Sequence, residues 1–215
     1  MMTLAIFDLD GTIADTLADL ADATNYGLRS LGCPEHDYES YRYFVGNGAL
    51  KLCERALPQD RKTESAVLLD MFREYYNAHL LDKTALYDGI RESLNALSHS
   101  GILLAVATNK PQDAARKLVS VLLPDTDFVR VLGGCEERPK KPDPAVISEI
   151  LAAAPDCDKI YMIGDSNVDI RTAKNAGLIS VGCAWGFRGR QELEKEDADF
   201  IAESPADITD IILGR

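Results

Sequence analysis

The sequence predicts an α/β protein, a doubly wound and mostly parallel sheet of Rossmann-like form with a helical cap inserted after the first strand. Three observations carry this. Beyond Tyr87, apolar runs of strand length alternate with amphipathic helical tracts, which requires crossover connections and a sheet covered on both faces. From Gly32 to about Leu81 the chain reads as helical, with apolar residues at three- and four-residue intervals in LKLCERAL and ESAVLLDMFREYYNAHLL and no strand alternation. The chain has 215 residues and is 46% hydrophobic, enough for one large domain carrying an insert and a sizeable core.

The elements follow in order. TLAIF, ending at Asp8, reads as a buried strand. The tract LADLADATNYGLRSLG places Leu17, Leu20, Ala21, Thr24, Leu28 and Leu31 near helical spacing, and Gly32 stops it. LKLCERAL and ESAVLLDMFREYYNAHLL read as further helices. After Tyr87 come helix IRESLNALSHSG, strand ILLAVAT, helix PQDAARKLVSVLL and a short apolar segment, DFVRVLGG. Helix PAVISEILAAA, strand KIYMIG, helix VDIRTAKNAG and strand LISVGCAW follow. ADFIA reads as a last strand and PADITDIILG as a last helix. The expected division is an α/β core of residues 1–14 and 85–215 with a helical cap of residues 15–84.

Composition excludes several classes. The net charge is -12, which disfavours nucleic acid or an anionic membrane surface as the main partner. The charge is uneven: residues 1–28 hold five acids and no base, and residues 192–215 hold eight acids and two bases. Asp15, Asp19 and Asp22 fall near the start of the first helix, where negative charge is tolerated, and the C-terminal acids read as a solvated face. There is no apolar run long enough for a transmembrane helix, and the opening MMTLAIFDLDGT does not read as a signal peptide. Five scattered cysteines without a C-x-x-C pair suit a reducing, cytoplasmic setting rather than disulfides or zinc. The P-loop, dinucleotide and H-E-x-x-H motifs are absent from the sequence.

In open parallel sheets the reactive ends are the carboxyl ends of strands. There the sequence places Asp8-Leu9-Asp10-Gly11-Thr12, Thr108-Asn109-Lys110, and Gly164-Asp165-Ser166 with Asp169 four residues beyond Asp165. A loop adds Lys140-Lys141-Pro142-Asp143-Pro144. Clustered carboxylates repel one another unless a cation joins them. Oxygen ligands without paired His or Cys suit Mg²⁺ better than zinc. A hydroxyl and a lysine beside such an ion form a receptor for a phosphoryl group, and a carboxylate can itself be the nucleophile. Asp10-Gly11 also fits a hairpin turn, but a helical tract follows it rather than a second strand.

FDLDGT, ATNK, KKPDP and GDSNVDIRTAKNAG resemble, in order, the four motifs of the haloacid dehalogenase-like hydrolases. Val45-Gly46-Asn47-Gly48, Tyr87-Asp88-Gly89 and Trp185-Gly186-Phe187-Arg188 narrow the resemblance to the phosphoglycolate phosphatase-like family. The resemblance implies a Mg²⁺-dependent phosphomonoesterase that hydrolyses a small anionic ester, 2-phosphoglycolate first among them, through an aspartyl-phosphate. It makes Asp8 the nucleophile and Asp10 the acid and then the base. Thr12 supports the motif by hydrogen-bonding around the aspartates. Thr108 and Asn109 bind phosphoryl oxygens and Lys141 neutralises their charge. Asp8, Asp165 and the Asp10 carbonyl hold the metal, and Asp169 is a further ligand or orients one. Gly46, Asn47 and Gly48 face the substrate from the cap, Arg188 and Arg42 are candidate carboxylate partners, and Lys110 flanks the site.

Alternatives share parts of this pattern. Pyrophosphate or a sugar phosphate would use the same chemistry, as pyrophosphatase or phosphomutase. Phosphonate hydrolysis would need a cap lysine, and Lys51, Lys62 and Lys83 read more simply as surface groups. A receiver-like phosphoacceptor module also combines acids, a hydroxyl and a lysine, but it is shorter, lacks the helical insert and places its acid pair and phosphoacceptor on different strands, whereas Asp8 and Asp10 share one strand end. The expected partner is a small-molecule phosphate ester acting on a monomer or homodimer, with no nucleic acid and no membrane.

Overall fold

The computed structural model describes residues 2–154 and 156–215; Met1 and Pro155, both within the expected core ranges, lie outside them. Strand β1 (Thr3–Phe7) leads through a tight turn into β2 (Ala14–Asp15). Helices α1 (Leu17–Ser30), α2 (Tyr38–Phe44), α3 (Ala49–Ala56) and α4 (Ser65–His79) follow, with a 3-10 turn at Gln59–Glu64. The chain returns through β3 (Ala85–Leu86) into α5 (Ile90–His99), β4 (Leu103–Pro111), α6 (Gln112–Leu122), β5 (Val131–Gly134), α7 (Ala145–Leu151), β6 (Lys159–Gly164) and α8 (Asn167–Ala176). It ends with β7 (Ile179–Cys183), α9 (Arg190–Lys195), β8 (Phe200–Ala202) and α10 (Pro205–Leu213).

Six parallel strands form the main sheet in the order β5-β4-β1-β6-β7-β8. Alternate residues feed opposite faces. Ala5, Phe7, Leu104, Val106, Tyr161 and Ile163 pack on one side against apolar positions of α5, α6 and α10. Leu4, Ile6, Ala105, Ala107 and Met162 pack on the other against Val146, Ile147 and Ile150 of α7 and Ala173 of α8. Burial on both faces explains why these strands read as unbroken apolar runs. The strand order reverses beside β1, so the carboxyl ends of β4, β1 and β6 open on one crevice.

Three features go beyond the sequence reading. β2 and β3 pair antiparallel, Ala14 with Leu86 and Asp15 with Ala85, and so form a short ribbon at the base of the helical insert. α9 was not expected, since RQELEK buries only Leu193 and carries no apolar period. The short apolar segment DFVRVLGG, given no element type by the sequence, forms β5 over its last four residues.

Asp19 lies in the first turn of α1, where negative charge is tolerated, and does more than that placement requires. It is 2% exposed, and its carboxylate accepts hydrogen bonds from the Lys83 and Thr84 backbone amides and from Thr84 Oγ1, at 2.7 to 3.1 Å. It therefore ties the start of α1 to the chain returning from α4. Asp22 is also paired, since Lys83 Nζ lies 2.6 Å from it and the Tyr38 hydroxyl donates to it. Removing Asp19 leaves buried donors without an acceptor. Asp19→Ala is expected to cost about 3 kcal/mol, a drop in Tm of roughly 6–12 °C for a chain this long. Calorimetry beside Asp70→Ala, at an exposed acid, checks this; equal shifts would remove the structural role.

Candidate active site

β1 leads directly into Asp8, whose amide donates to Ile163 O of β6 at 2.8 Å. The chain then curls: the amides of Thr12, Ile13 and Ala14 all donate to Leu9 O. Gly11 sits at φ +82°, and a Cβ there would lie 2.4 Å from the Asp165 carboxylate. Gly186 is equally constrained, because a Cβ would lie 2.2 Å from Asp165 Cβ. The turn from β1 and the segment after β7 thus close on Asp165 from two sides.

Asp8, Asp165 and Asp169 each offer a carboxylate oxygen within 4.8 Å of the others, and all three residues are buried. Lys141 Nζ donates to Asp169 Oδ1 at 2.7 Å and Ala107 O at 2.8 Å. It lies 3.0 Å from Asp8 Oδ1 as an ion pair outside hydrogen-bonding alignment, so that oxygen has no hydrogen-bond partner among the described residues. Asp165 Oδ2 accepts the Phe187 amide at 2.7 Å. Asp169 Oδ2 accepts the Ser166 amide and hydroxyl, closing a capping box at the start of α8. The helix N-cap is therefore Ser166, and Asp165 is left for the cluster.

Burial pushes the Asp8 carboxyl up to about 6; Lys141 opposes this, while Asp169 and Asp10 add to it. Burial also raises Asp165 well above the ordinary carboxylate range, with Asp169 and Asp8 contributing. Lys141 is held above its ordinary value because its two carboxylate partners outweigh the cost of burial. Three buried carboxylates against one lysine leave excess negative charge, and the oxygen-only donors fit a hard divalent cation.

Asp10 pairs elsewhere. Its Oδ1 accepts from Thr16 Oγ1 at 2.8 Å and from Lys110 Nζ at 2.9 Å. Lys110 therefore does more than flank the site, and Thr16 makes the bond expected of Thr12. Thr12 is fully buried, its hydroxyl has no partner among the described residues, and its carbonyl accepts from Trp185 Nε1 at 3.2 Å. The expectation of Thr12 hydrogen-bonding around the aspartates is corrected on these grounds.

A chamber opens beside Asp8, Asp10, Thr108, Asn109, Lys110 and Asp165 and continues to Arg188. Helices and loops of the insert cover it with Leu20, Val45, Gly46, Gly48, Leu52, Phe72 and Tyr76. Asn109 is 7% exposed and its side chain is committed. Nδ2 donates to Gly46 O at 3.0 Å and Lys141 O at 3.1 Å, and Oδ1 accepts the Lys141 amide at 2.9 Å. The side chain thus positions Lys141 and the insert rather than offering a free amide to phosphoryl oxygens. Asn47 accepts from Arg55 and lines a neighbouring groove instead of the chamber. Arg188 donates to Val45 O at 3.0 Å and lies over the Tyr43 ring, so it holds the loop before Gly46. Arg42 pairs with Glu39 and does not line the chamber.

The family described as haloacid dehalogenase-like hydrolase matches residues 5–183. A phosphoglycolate phosphatase from Vibrio parahaemolyticus is 32% identical, over 97% of this chain and 95% of its own. One from Agrobacterium fabrum is 35% identical, over 94% and 91%. The crystal structure of a predicted phosphoglycolate phosphatase from Haemophilus somnus superposes with a TM-score of 0.87 at 31% identity, covering 98% of each chain. Among the described residues no helix is long and apolar enough to cross a membrane.

Proposed function

The chain belongs to the haloacid dehalogenase-like hydrolase family and is a phosphatase, and from that premise we propose that it hydrolyses 2-phosphoglycolate with Mg²⁺ as cofactor. The observation that carries the reading is the juxtaposition of Asp8 and Asp10 on one strand end, with separate cationic partners, Lys141 for Asp8 and Lys110 for Asp10. Two carboxylates with different partners can take different roles.

Asp8 attacks phosphorus, and the ester P–O bond breaks. Asp10 gives its proton to the leaving alkoxide. Asp10 then takes a proton from the water that attacks the aspartyl-phosphate, which frees phosphate and restores Asp8. Lys141 balances charge on Asp8. The Thr108 hydroxyl, at the chamber wall, is the contact to a phosphoryl oxygen, with the Asn109 side chain fixing its surroundings. Asp8, Asp165 and the Asp10 carbonyl would hold Mg²⁺, with Asp169 orienting Lys141. The bound ion supplies charge neutralisation for the phosphoryl group.

The division into a core of residues 1–14 and 85–215 and a cap of residues 15–84 belongs to the same reading. The cap excludes bulk water while Asp10 acts. Among the described residues of the insert, the only polar side chain lining the chamber is that of Tyr76. Apolar walls leave sugar hydroxyls without partners, which disfavours sugar phosphates. Gly48, the N-cap of α3, and Ala49, its first residue, also line it, and backbone amides at a helix start favour a carboxylate. Arg188 is the chamber cation not already paired with Asp10.

The test is phosphate release from 2-phosphoglycolate, pyrophosphate, glucose phosphates and nucleotides, with Mg²⁺ and with EDTA. Mg²⁺-dependent turnover is expected to be fastest on 2-phosphoglycolate. Preference for a glucose phosphate or pyrophosphate would overturn the substrate, and full activity in EDTA would overturn the cofactor.

A further inference from the structure

Lys110 is 4% exposed, and its ammonium has two side-chain oxygen partners from different parts of the fold. One is Asp10 Oδ1 at 2.9 Å, on the turn after β1; the other is the Tyr76 hydroxyl at 2.6 Å, on α4 of the insert. Tyr76 is itself buried, stacks on Phe72 with centroids 5.1 Å apart, and lines the chamber. A buried ammonium is costly unless its donors are met. Here one donor is met only when α4 lies against the core. Asp10 keeps 13% of its side chain exposed and holds its place through Lys110 and Thr16.

We infer that Tyr76 is a positioning residue that couples docking of α4 over the site to acid–base chemistry at Asp10, acting through Lys110. The Tyr76 hydroxyl accepts one Lys110 N–H and so fixes the ammonium that orients the Asp10 carboxyl. With α4 displaced, the ammonium loses that anchor and Asp10 is held by Thr16 and a mobile lysine. Proton transfer is then efficient only beneath a docked insert, which protects the reaction from premature water. The inference rests on the proposed roles of Asp8 and Asp10.

Tyr76→Phe tests it, because the ring and its stacking on Phe72 remain. The readout is kcat/KM, which covers the steps through departure of the leaving group, on two esters. 2-Phosphoglycolate needs its alkoxide protonated; p-nitrophenyl phosphate releases a stable anion that does not. We expect kcat/KM to fall about tenfold on the first, a small part of what general acid catalysis supplies, and to stay within about twofold on the second. Equal losses on both esters, or no loss on either, would overturn the inference, since a purely structural role moves both alike. If the unmodified protein turned over neither ester, the reading of function would fail instead. The inference would then be read from Tm in Tyr76→Phe, Lys110→Met and the double variant. Non-additive shifts support the coupled pair and additive shifts overturn it.

Discussion

Asp8→Asn is expected to abolish phosphate release, lowering kcat by roughly 10⁴-fold or more, as loss of a covalent nucleophile does. The substitution preserves shape but removes the nucleophilic oxygen, and no other side chain in the trio can take its place. Asp165 Oδ2 is bound by the Phe187 amide, and Asp169 spends its oxygens on Lys141 and Ser166. The same change has an opposite effect on stability. Burial pushes Asp8 up to about 6 from an ordinary 3.8. A carboxyl raised in the folded state weakens the fold as pH climbs from its unfolded toward its folded value, because the ionised form is the disfavoured one. The neutral amide lacks that cost. In EDTA at pH 7 the Asp8→Asn protein is expected to melt at or above the unmodified one, with the advantage vanishing by pH 3.8. Turnover within a hundredfold of the unmodified protein, measured as phosphate release with Mg²⁺, would remove Asp8 as nucleophile.

That contrast shows which parts of the site a sequence can carry. Asp8, Asp165 and Lys141 were legible because each follows an apolar strand or sits in a short motif, and parallel topology gathers strand ends along one edge. Asp169 was left between ligand and orienting group. Its bonds to Lys141 and Ser166 are orienting contacts, while its oxygens still lie among the trio. Tyr76 was not legible: on α4 it falls at core spacing like Phe72, and only the fold brings it to Lys110, 34 positions away. Lys110 was undervalued for the same reason. Asp19 read only as a tolerated acid near a helix start because its partners lie 64 and 65 positions on. Thr12 and Thr16 could not be told apart as hydroxyl partners of Asp10, since the choice depends on how the turn curls over Leu9 O. Elements of two residues, such as β2 and β3, are shorter than any periodicity can register.

Lys141→Met is the second large effect, and it acts on fold and chemistry together. The ammonium meets Asp169 Oδ1, Asp8 Oδ1 and Ala107 O, all within 3.0 Å, in a site where its side chain is 2% exposed. Removing one partner of a buried charge pair costs about 3–5 kcal/mol, because the remaining charge stays buried and unbalanced. Here three carboxylates are left facing one another, so the loss of Tm is expected to be greatest in EDTA and smaller with Mg²⁺ present. Activity is expected to fall by about 10³-fold, the scale of losing a preorganised group that stabilises developing charge. The two effects separate in the Asp8→Asn background. With the Asp8 charge gone, Lys141→Met has less repulsion to expose and is expected to lower Tm by less than it does alone. Equal losses in both backgrounds would mean that Lys141 serves Asp169 and the Ala107 carbonyl only. A protein that melts early yet keeps kcat within tenfold would make Lys141 a structural support and leave charge on the phosphoryl group to other residues.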